Sequence, residues 1–254
     1  MMEQTQAPVP VGDVSAIDQV FHHVLRDILA GRYPPGVRLP AERDLARVLG
    51  TSRSTLREAM RRLTDWRVVK PRRGSGIEVQ DVGEWSIEVL PSYLRHARTG
   101  PGQPGIVVVL RDVLVLRRTV LVDILRLIGE RLPPGGVDES RRAAARAWSL
   151  RAEPSQFRRA DLNVFRSMAR IARFLPALWL LNRLAGVYLE IAESISADLG
   201  PPDDYLPVYE RVFAALERRD TDAAVATMNS YLDRHDRRLQ ALFVSAVDRD
   251  FARP

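Results

Sequence analysis

The chain has 254 residues, of which 46% are hydrophobic and 28% charged, with a formal net charge of +6 and no cysteine. This length and balance suit one large or two ordinary globular domains rather than a disordered chain. The absence of cysteine excludes disulfides and thiolate metal sites, and no apolar run reaches the roughly 18 to 20 residues that span a bilayer.

Met1 to Val14 lacks a basic stretch followed by an apolar core, so the expectation is a cytoplasmic protein with no signal peptide and no membrane partner. Residues 1–15, with Pro8, Pro10 and Gly12, read as a flexible tail. Ile17, Val20, Phe21, Val24, Leu25, Ile28 and Leu29 then follow helical spacing and predict a first helix that stops at Gly31. A short helix from about Ala41 to Leu49 leads to Gly50, a residue suited to positive φ at a helix end. Thr51 or Ser52 can cap the next helix, which runs to about Trp66 with Leu56, Ala59, Met60 and Leu63 inward. Val68 and Val69, then Ile77 to Val79, read as two short strands around the basic tip Pro71 to Gly76.

Residues 16–79 are thus expected to form a winged helix-turn-helix, and 80–84 a linker. From 85 to 254 the pattern is helical throughout. Trp85 to Arg98 is amphipathic and Thr99 to Gly105 is a Gly/Pro loop. Helices are expected over Ile106–Leu132, Asp138–Leu150, Pro154–Phe174, Pro176–Leu199, Pro202–Arg219 and Thr221–Ala252, with the three prolines at first turns. The fold class is mainly α: an N-terminal winged helix-turn-helix and a C-terminal all-α helical bundle, the latter expected to bind an effector and to dimerise.

Charge is concentrated in the first domain. Arg38 to Arg73 holds eleven basic residues against Glu42, Asp44, Glu58 and Asp65. A basic module on a nearly balanced body is the footprint of a reader of double-stranded DNA. The second short helix would enter the major groove, and Arg53 and Arg57, four apart, share a face from which guanine can be read by a bidentate fork. Thr51, Ser52, Ser54 and Thr55 are short donors near a helix start, suited to phosphates, and Arg43 starts the helix that crosses the backbone. Arg72, Arg73 and Gly74 form a wing that can approach the minor groove. Basic residues on a helix more often form a solvated face, but here cap, turn, buried leucines and glycine wing all agree.

The run Gly36 to Ala46, with Leu39-Pro40-Ala41-Glu42-Arg43, and then Ser52-Arg53-Ser54-Thr55-Leu56-Arg57-Glu58-Ala59, resembles the DNA-binding signature of the GntR regulators over residues 16–79. The resemblance implies that Arg43, Arg53, Arg57, Arg73 and Gly74 meet DNA. A helical second domain behind such a module is similar to the FadR subfamily. Most of its effector domains hold a metal through one Asp and three His, and bind small carboxylates.

This domain has only His96 and His235, and His235 lies in the polar run Asp233 to Arg237, which reads as solvent-exposed. Phe165 or Arg166 falls in one family His slot and Tyr209 and Tyr231 in the other two, so no metal and no cofactor is expected. Asp161, Asn163 and Arg166, with Tyr188, Tyr209, Tyr231 and Arg117, look more like the fatty-acid-responsive branch, which implies a fatty acyl-CoA effector. A small carboxylate effector and a ligand-independent dimeric DNA binder remain as alternatives. Tyrosines at helical spacing are often core residues, and Arg117 or Arg166 can equally pair with Asp161 or Asp123 as structural ions. An enzyme would need a nucleophile–base pair or a metal, and no motif supplies either. The chain reads as a homodimeric transcription regulator, repressor or activator, and not as an enzyme.

Overall fold

A computed structural model describes residues 15–72, 74, 76–97, 105–194 and 200–251, without the side chains of 192–194 and 245–251. The chain divides into two compact units, 1–103 and 104–254.

In the first unit, α1 (Ala16–Leu29) starts under Ser15, whose hydroxyl accepts the Asp18 amide at 3.1 Å. That contact satisfies one of the free N–H groups of a helix start. Phe21, Leu25 and Ile28 are sealed on its inner face. α2 (Glu42–Val48) and α3 (Arg53–Asp65) follow, joined through Gly50, whose φ of +61° admits glycine without strain. The i, i+3, i+4 set Leu56, Ala59, Met60 and Leu63 turns α3 onto α1 and α2. Each such fully buried large side chain contributes about 1.5–3 kcal/mol. Trp66, just past α3, meets the edge of Phe21 with ring centres 4.8 Å apart. β1 (Val69–Arg72) pairs antiparallel with β2 (Gly76–Val79), with Val69 opposite Val79. The stretch ahead of α2 lies along the other edge of β2: Val79 N donates to Val37 O and Leu39 N to Ile77 O, both at 2.9 Å. The first unit is a winged helix-turn-helix, as the spacing predicts.

The boundary drawn from sequence at residues 84 and 85 does not coincide with the division between the units. Residues 82–84 and 87–89 form two 3-10 turns and α4 spans Leu90–His96. Trp85 Nε1 donates to Gln80 O at 3.1 Å, and Ser86 N donates to Trp66 O at 2.9 Å. α4 then packs on α1. The amphipathic stretch therefore covers the DNA-binding fold instead of opening the helical domain. The tail expected for residues 1–15 lies outside the described residues, Ser15 excepted.

The second unit is all-α: α5 (Ile106–Gly129), α6 (Asp138–Ser149), α7 (Pro154–Ile171), α8 (Leu175–Ser194), α9 (Tyr205–Glu217) and α10 (Thr221–Phe251). Leu125, Ile128, Val164, Met168, Val212, Phe213 and Met228 form its centre. Ala144 and Ala147 keep α6 close to α7, and the two helices share a buried bond in which Ser140 donates to the Ser167 hydroxyl at 2.7 Å. Ser167 in turn gives its proton to Val164 O. α5 is held to α10 by Arg117 on Asp236 and Arg118 on Asp233. No helix among the described residues is long and apolar enough to cross a membrane.

Candidate nucleic-acid interface and effector site

In the first unit Arg43, Arg53, Arg57 and Arg72, four of the arginines expected from sequence to face DNA, stand outward, but not in equal states. Arg53 is exposed and has no partner among the described residues. Arg57, one turn on, donates from Nε to Glu42 Oε2 at 2.8 Å. Its two Nη groups have no partner among the described residues. Arg43 is exposed and 3.8 Å from Asp44. Ser52 caps α3, accepting the Thr55 amide at 3.1 Å, with the Ser54 and Thr55 hydroxyls 2.8 Å from its own. Its oxygen is thereby committed to the helix, while Ser54 and Thr55 stand at the rim beside Thr51. The wing departs from expectation. Arg72 is tied across the strands to Glu78 at 3.1 Å, and Lys70 adds a second contact at 3.5 Å. That engagement holds the Glu78 carboxyl below its usual range. Arg73 lies outside the described residues. Gly74 is exposed with φ +67°, and a Cβ there would meet nothing within 4 Å, so the main chain at the tip is open to approach. A cleft of about 700 Å³ lies between wing and α3, lined by Arg38, Glu42, Arg57, Arg61, Pro71 and Ile77.

The second unit gathers polar groups in its interior. The Asp161 carboxylate on α7 accepts the Tyr205 hydroxyl at 2.6 Å and the Tyr209 hydroxyl at 3.0 Å, both from α9. Arg117 lies 5.2 Å from the Tyr188 ring centre while paired with Asp236. Tyr188, on α8, feels the charges of Arg117 on α5, Asp161 and Arg158 on α7 and Asp236 on α10, so with the two tyrosines of α9 five helices contribute to one cluster. Tyr231 meets Tyr209 with ring centres 6.3 Å apart and stacks on His235 at 6.3 Å. Burial governs the titration here. It raises the Tyr188, Tyr205, Tyr209 and Tyr231 phenols, so they remain neutral donors. It raises the Asp161 carboxyl against the pull of the two tyrosines and Arg117. It pushes the His235 imidazole down to about 3, helped by the charge of Arg117. Arg117 Nε, Arg158 Nε, Arg166 Nε, His235 Nδ1 and Asp236 Oδ2 are enclosed without a hydrogen-bond partner.

Of the seven ligand residues expected from sequence, Arg117, Asp161, Tyr188, Tyr209 and Tyr231 converge. Asn163 does not. Two positions beyond Asp161, it is rotated by about 200° around α7. It is exposed and accepts Arg166 at 3.4 Å, which draws that guanidinium away from the cluster as well. His235, read as solvent-exposed, instead turns inward, because the buried face of α10 runs Met228, Tyr231, Leu232, Asp236 while Arg234 and Arg237 stay outside. Arg117 pairs with neither Asp161 nor Asp123 but with Asp236. Sequence reasoning missed Tyr205, Arg158, His235 and Asp236. Three of them stand three or four residues from a residue it named: Tyr205 from Tyr209, Arg158 from Asp161, His235 from Tyr231. Helix periodicity was the signal that could have found them.

The donor set does not suit a divalent metal. Asp161 is a single carboxylate already engaged by two phenols, and a guanidinium stands near it where a metal would need negative charge. Among the described residues no three of His, Cys, Asp or Glu group together.

Two family profiles match the chain: bacterial regulatory proteins of the gntR family over residues 16–79, and the FCD domain over residues 112–234. The chain is a GntR-family transcription regulator. Its DNA-binding domain is followed by a ligand-binding FCD domain, a composition that fits the FadR subfamily. The regulator is 27% identical over 245 residues to the HTH-type transcriptional regulator Mce2R of Mycobacterium tuberculosis, covering 94% of this chain and 98% of that one. It is 28% identical over 211 residues to the fatty acid metabolism regulator protein of Salmonella paratyphi C, covering 82% and 84%. Among solved structures it is similar in fold to Lar, which controls expression of the agr system of Listeria monocytogenes and mediates virulence. The TM-score is 0.55 at 16% identity, with 92% of this chain and 99% of that one covered.

Proposed function

We propose that this regulator is a homodimer that reads a two-fold symmetric operator and changes its grip when a fatty acyl ligand, an acyl-CoA, enters the FCD domain. Arg53 and Arg57 read bases, Arg43, Thr51, Ser54 and Thr55 hold phosphates, and the tip at Arg73 and Gly74 lies along the minor groove. The observation that carries the effector half is the interior cluster. Buried polar atoms are normally paired, yet Arg117 Nε, His235 Nδ1 and Asp236 Oδ2 of the cluster find no partner within the protein, which leaves them available to a polar ligand. Relatives named for fatty acid metabolism support the acyl class. Exposed Leu175 and Trp179, four apart on α8, and Val115 and Leu116 on α5 support burial against a second copy.

The test is titration of oleoyl-CoA into the complex with an operator selected from randomised palindromes. Release or tightening at micromolar ligand is expected, and an unchanged complex sinks the acyl-CoA reading. Light scattering checks the dimer: a mass of one chain, 28.6 kDa, refutes it. A small carboxylate is the second reading, favoured by the buried arginines of the cluster.

A further inference from the structure

The wing sheet carries a cation that its own carboxylate does not hold. Arg38 lies in the stretch that runs along the outer edge of β2, directly opposite Glu78. The bonds from Val79 N to Val37 O and from Leu39 N to Ile77 O flank this pair. It is therefore a non-hydrogen-bonded pair, the kind in which facing side chains start closest, about 4.5–5.5 Å apart. Lys70 faces Glu78 from the other side. Arg72 takes both Glu78 oxygens, at 3.1 and 3.4 Å, and Lys70 stands 3.5 Å away. Glu78 is thus claimed from the β1 side. Arg38 is exposed, and among the described residues no hydrogen bond or ion pair reaches its side chain.

Arg38 also borders the cleft of about 700 Å³ between wing and α3. Arg57 and Arg61 line the cleft from α3, each in an exposed pair with a glutamate, and Pro71 and Ile77 line it from the strands. Apolar surface between guanidinium groups suits a chain of sugars and phosphates. With α3 in the major groove and the Gly74 tip in the minor groove, the strand that divides the two grooves has to pass between helix and wing. The lengths agree. Gly74 and Glu78 are four residues apart, at most about 13 Å of strand, and the minor groove is about 7.5 Å deep. A tip at the floor of the groove leaves the Arg38–Glu78 row no more than about 6 Å outside the rim, where an arginine side chain reaches the phosphates that edge it.

We propose that Arg38 is a phosphate contact of the operator complex. It holds the sugar-phosphate strand that separates the major from the minor groove, and Arg72 keeps it free to do so by occupying Glu78. The proposal rests on the reading that α3 enters the major groove and the wing tip the minor groove.

The test is fluorescence anisotropy of the full chain on a selected operator between 50 and 200 mM salt, for wild type, Arg38→Gln, Arg38→Lys and Gly74→Asp. A second set of operators carries one neutral methylphosphonate linkage at a time. One lost phosphate contact lowers the salt slope by about 0.9, so the wild-type advantage over Arg38→Gln should shrink about three- to fourfold across this range. Arg38→Lys keeps the charge and should keep the wild-type slope. In the linkage series, the wild type should be weakened at a position on the dividing strand to which Arg38→Gln is indifferent. Arg72→Ala should share that indifference, because a freed Glu78 captures Arg38, and adding Glu78→Gln should restore the wild-type pattern. Equal slopes for wild type and Arg38→Gln overturn the proposal, as does equal sensitivity at every linkage. A slope for Arg38→Lys as low as that of Arg38→Gln overturns it too, since charge is then not what DNA meets. A pattern that Glu78→Gln does not restore removes the role given to Arg72. Gly74→Asp separates the proposal from the reading beneath it. If a carboxylate at the tip leaves operator binding unchanged, the wing does not enter the minor groove and that reading fails. If it weakens binding while Arg38→Gln does not, the reading stands and the phosphate contact fails.

Discussion

Glu42 is expected to set how selectively Arg57 reads DNA while contributing little to folding. The two side chains meet at 2.8 Å but are 39% and 67% exposed, so their attraction is largely screened. Pairs of this kind contribute between 0 and about 1 kcal/mol to stability, and Glu42→Gln is expected to leave Tm almost unchanged. On DNA the same contact does more. Glu42 occupies Nε and leaves the two Nη groups as the free edge, which is one of the edges able to bond guanine O6 and N7 together. It also orients a side chain whose ordering otherwise costs up to about 2 kcal/mol. A bidentate base contact discriminates by about 1–3 kcal/mol. Loss of the orientation should remove roughly half of that, about 0.5–1.5 kcal/mol, or a drop of about two- to tenfold in specific affinity. Affinity for random DNA should stay level or rise, because a negative charge has left a surface that faces phosphates. The assay is fluorescence anisotropy at one fixed salt concentration, on a selected operator and on a scrambled duplex, for wild type, Glu42→Gln, Arg57→Ala and the double variant. The reasoning is refuted if Glu42→Gln keeps the wild-type ratio of specific to nonspecific affinity, or if its effect adds in full to that of Arg57→Ala.

Arg43→Ala is expected to weaken operator and scrambled DNA alike and to lower the salt slope by about 1, whereas Arg53→Ala should weaken the operator selectively; the reverse pattern would exchange their roles. Ser52→Ala removes the cap of α3 and should lower stability by about 1 kcal/mol in urea titrations, and an unchanged midpoint would contradict its role at that helix start. His235 is neutral in the fold down to pH of about 3, whereas an unfolded histidine takes a proton near 6.5. Acidification below 6.5 therefore favours the unfolded chain by up to about 1.4 kcal/mol per pH unit. Asp161 and Asp236, whose folded values are raised, act in the opposite sense, so the measurement is the difference between wild type and His235→Gln. The variant should lose less stability between pH 6.5 and 4, and parallel curves would show that His235 is not held neutral.

The winged helix was legible because its determinants are local. Gly50, the Ser52 cap and the Leu56 to Leu63 spacing each act within one or two helical turns. Helix ends were less legible where a residue does an unusual job. α7 was expected to reach Phe174 but stops at Ile171, because Arg173 adopts φ +51° and the Phe174 amide turns back to Ala169 O at 2.9 Å. Nothing in an arginine announces that conformation as a glycine would. α9 begins at Tyr205 and not Pro202, since a turn closes first from Tyr205 N to Pro202 O at 3.0 Å. In the interior cluster, Asn163 came in with the family resemblance around Asp161, although two steps along a helix reverse the face. The Arg117–Asp236 pair, 119 residues apart, could not be read from spacing at all.

Arginine serves two opposite ends in this chain, and the environment decides which. On α3 it is exposed, its charge is cheaply solvated, and its value lies in what it meets outside; Arg53 waits in water and Arg57 is braced by one carboxylate. In the bundle, Arg117 and Arg158 are taken out of water, and each must be answered from inside. Asp236 answers Arg117. Hydrophobic side chains of similar volume would make a more stable bundle than this cluster of enclosed polar atoms, because desolvation opposes every one of them. The cluster therefore works against the stability of the domain that carries it. On the reading proposed above, a ligand that satisfies those atoms would recover the difference as binding energy.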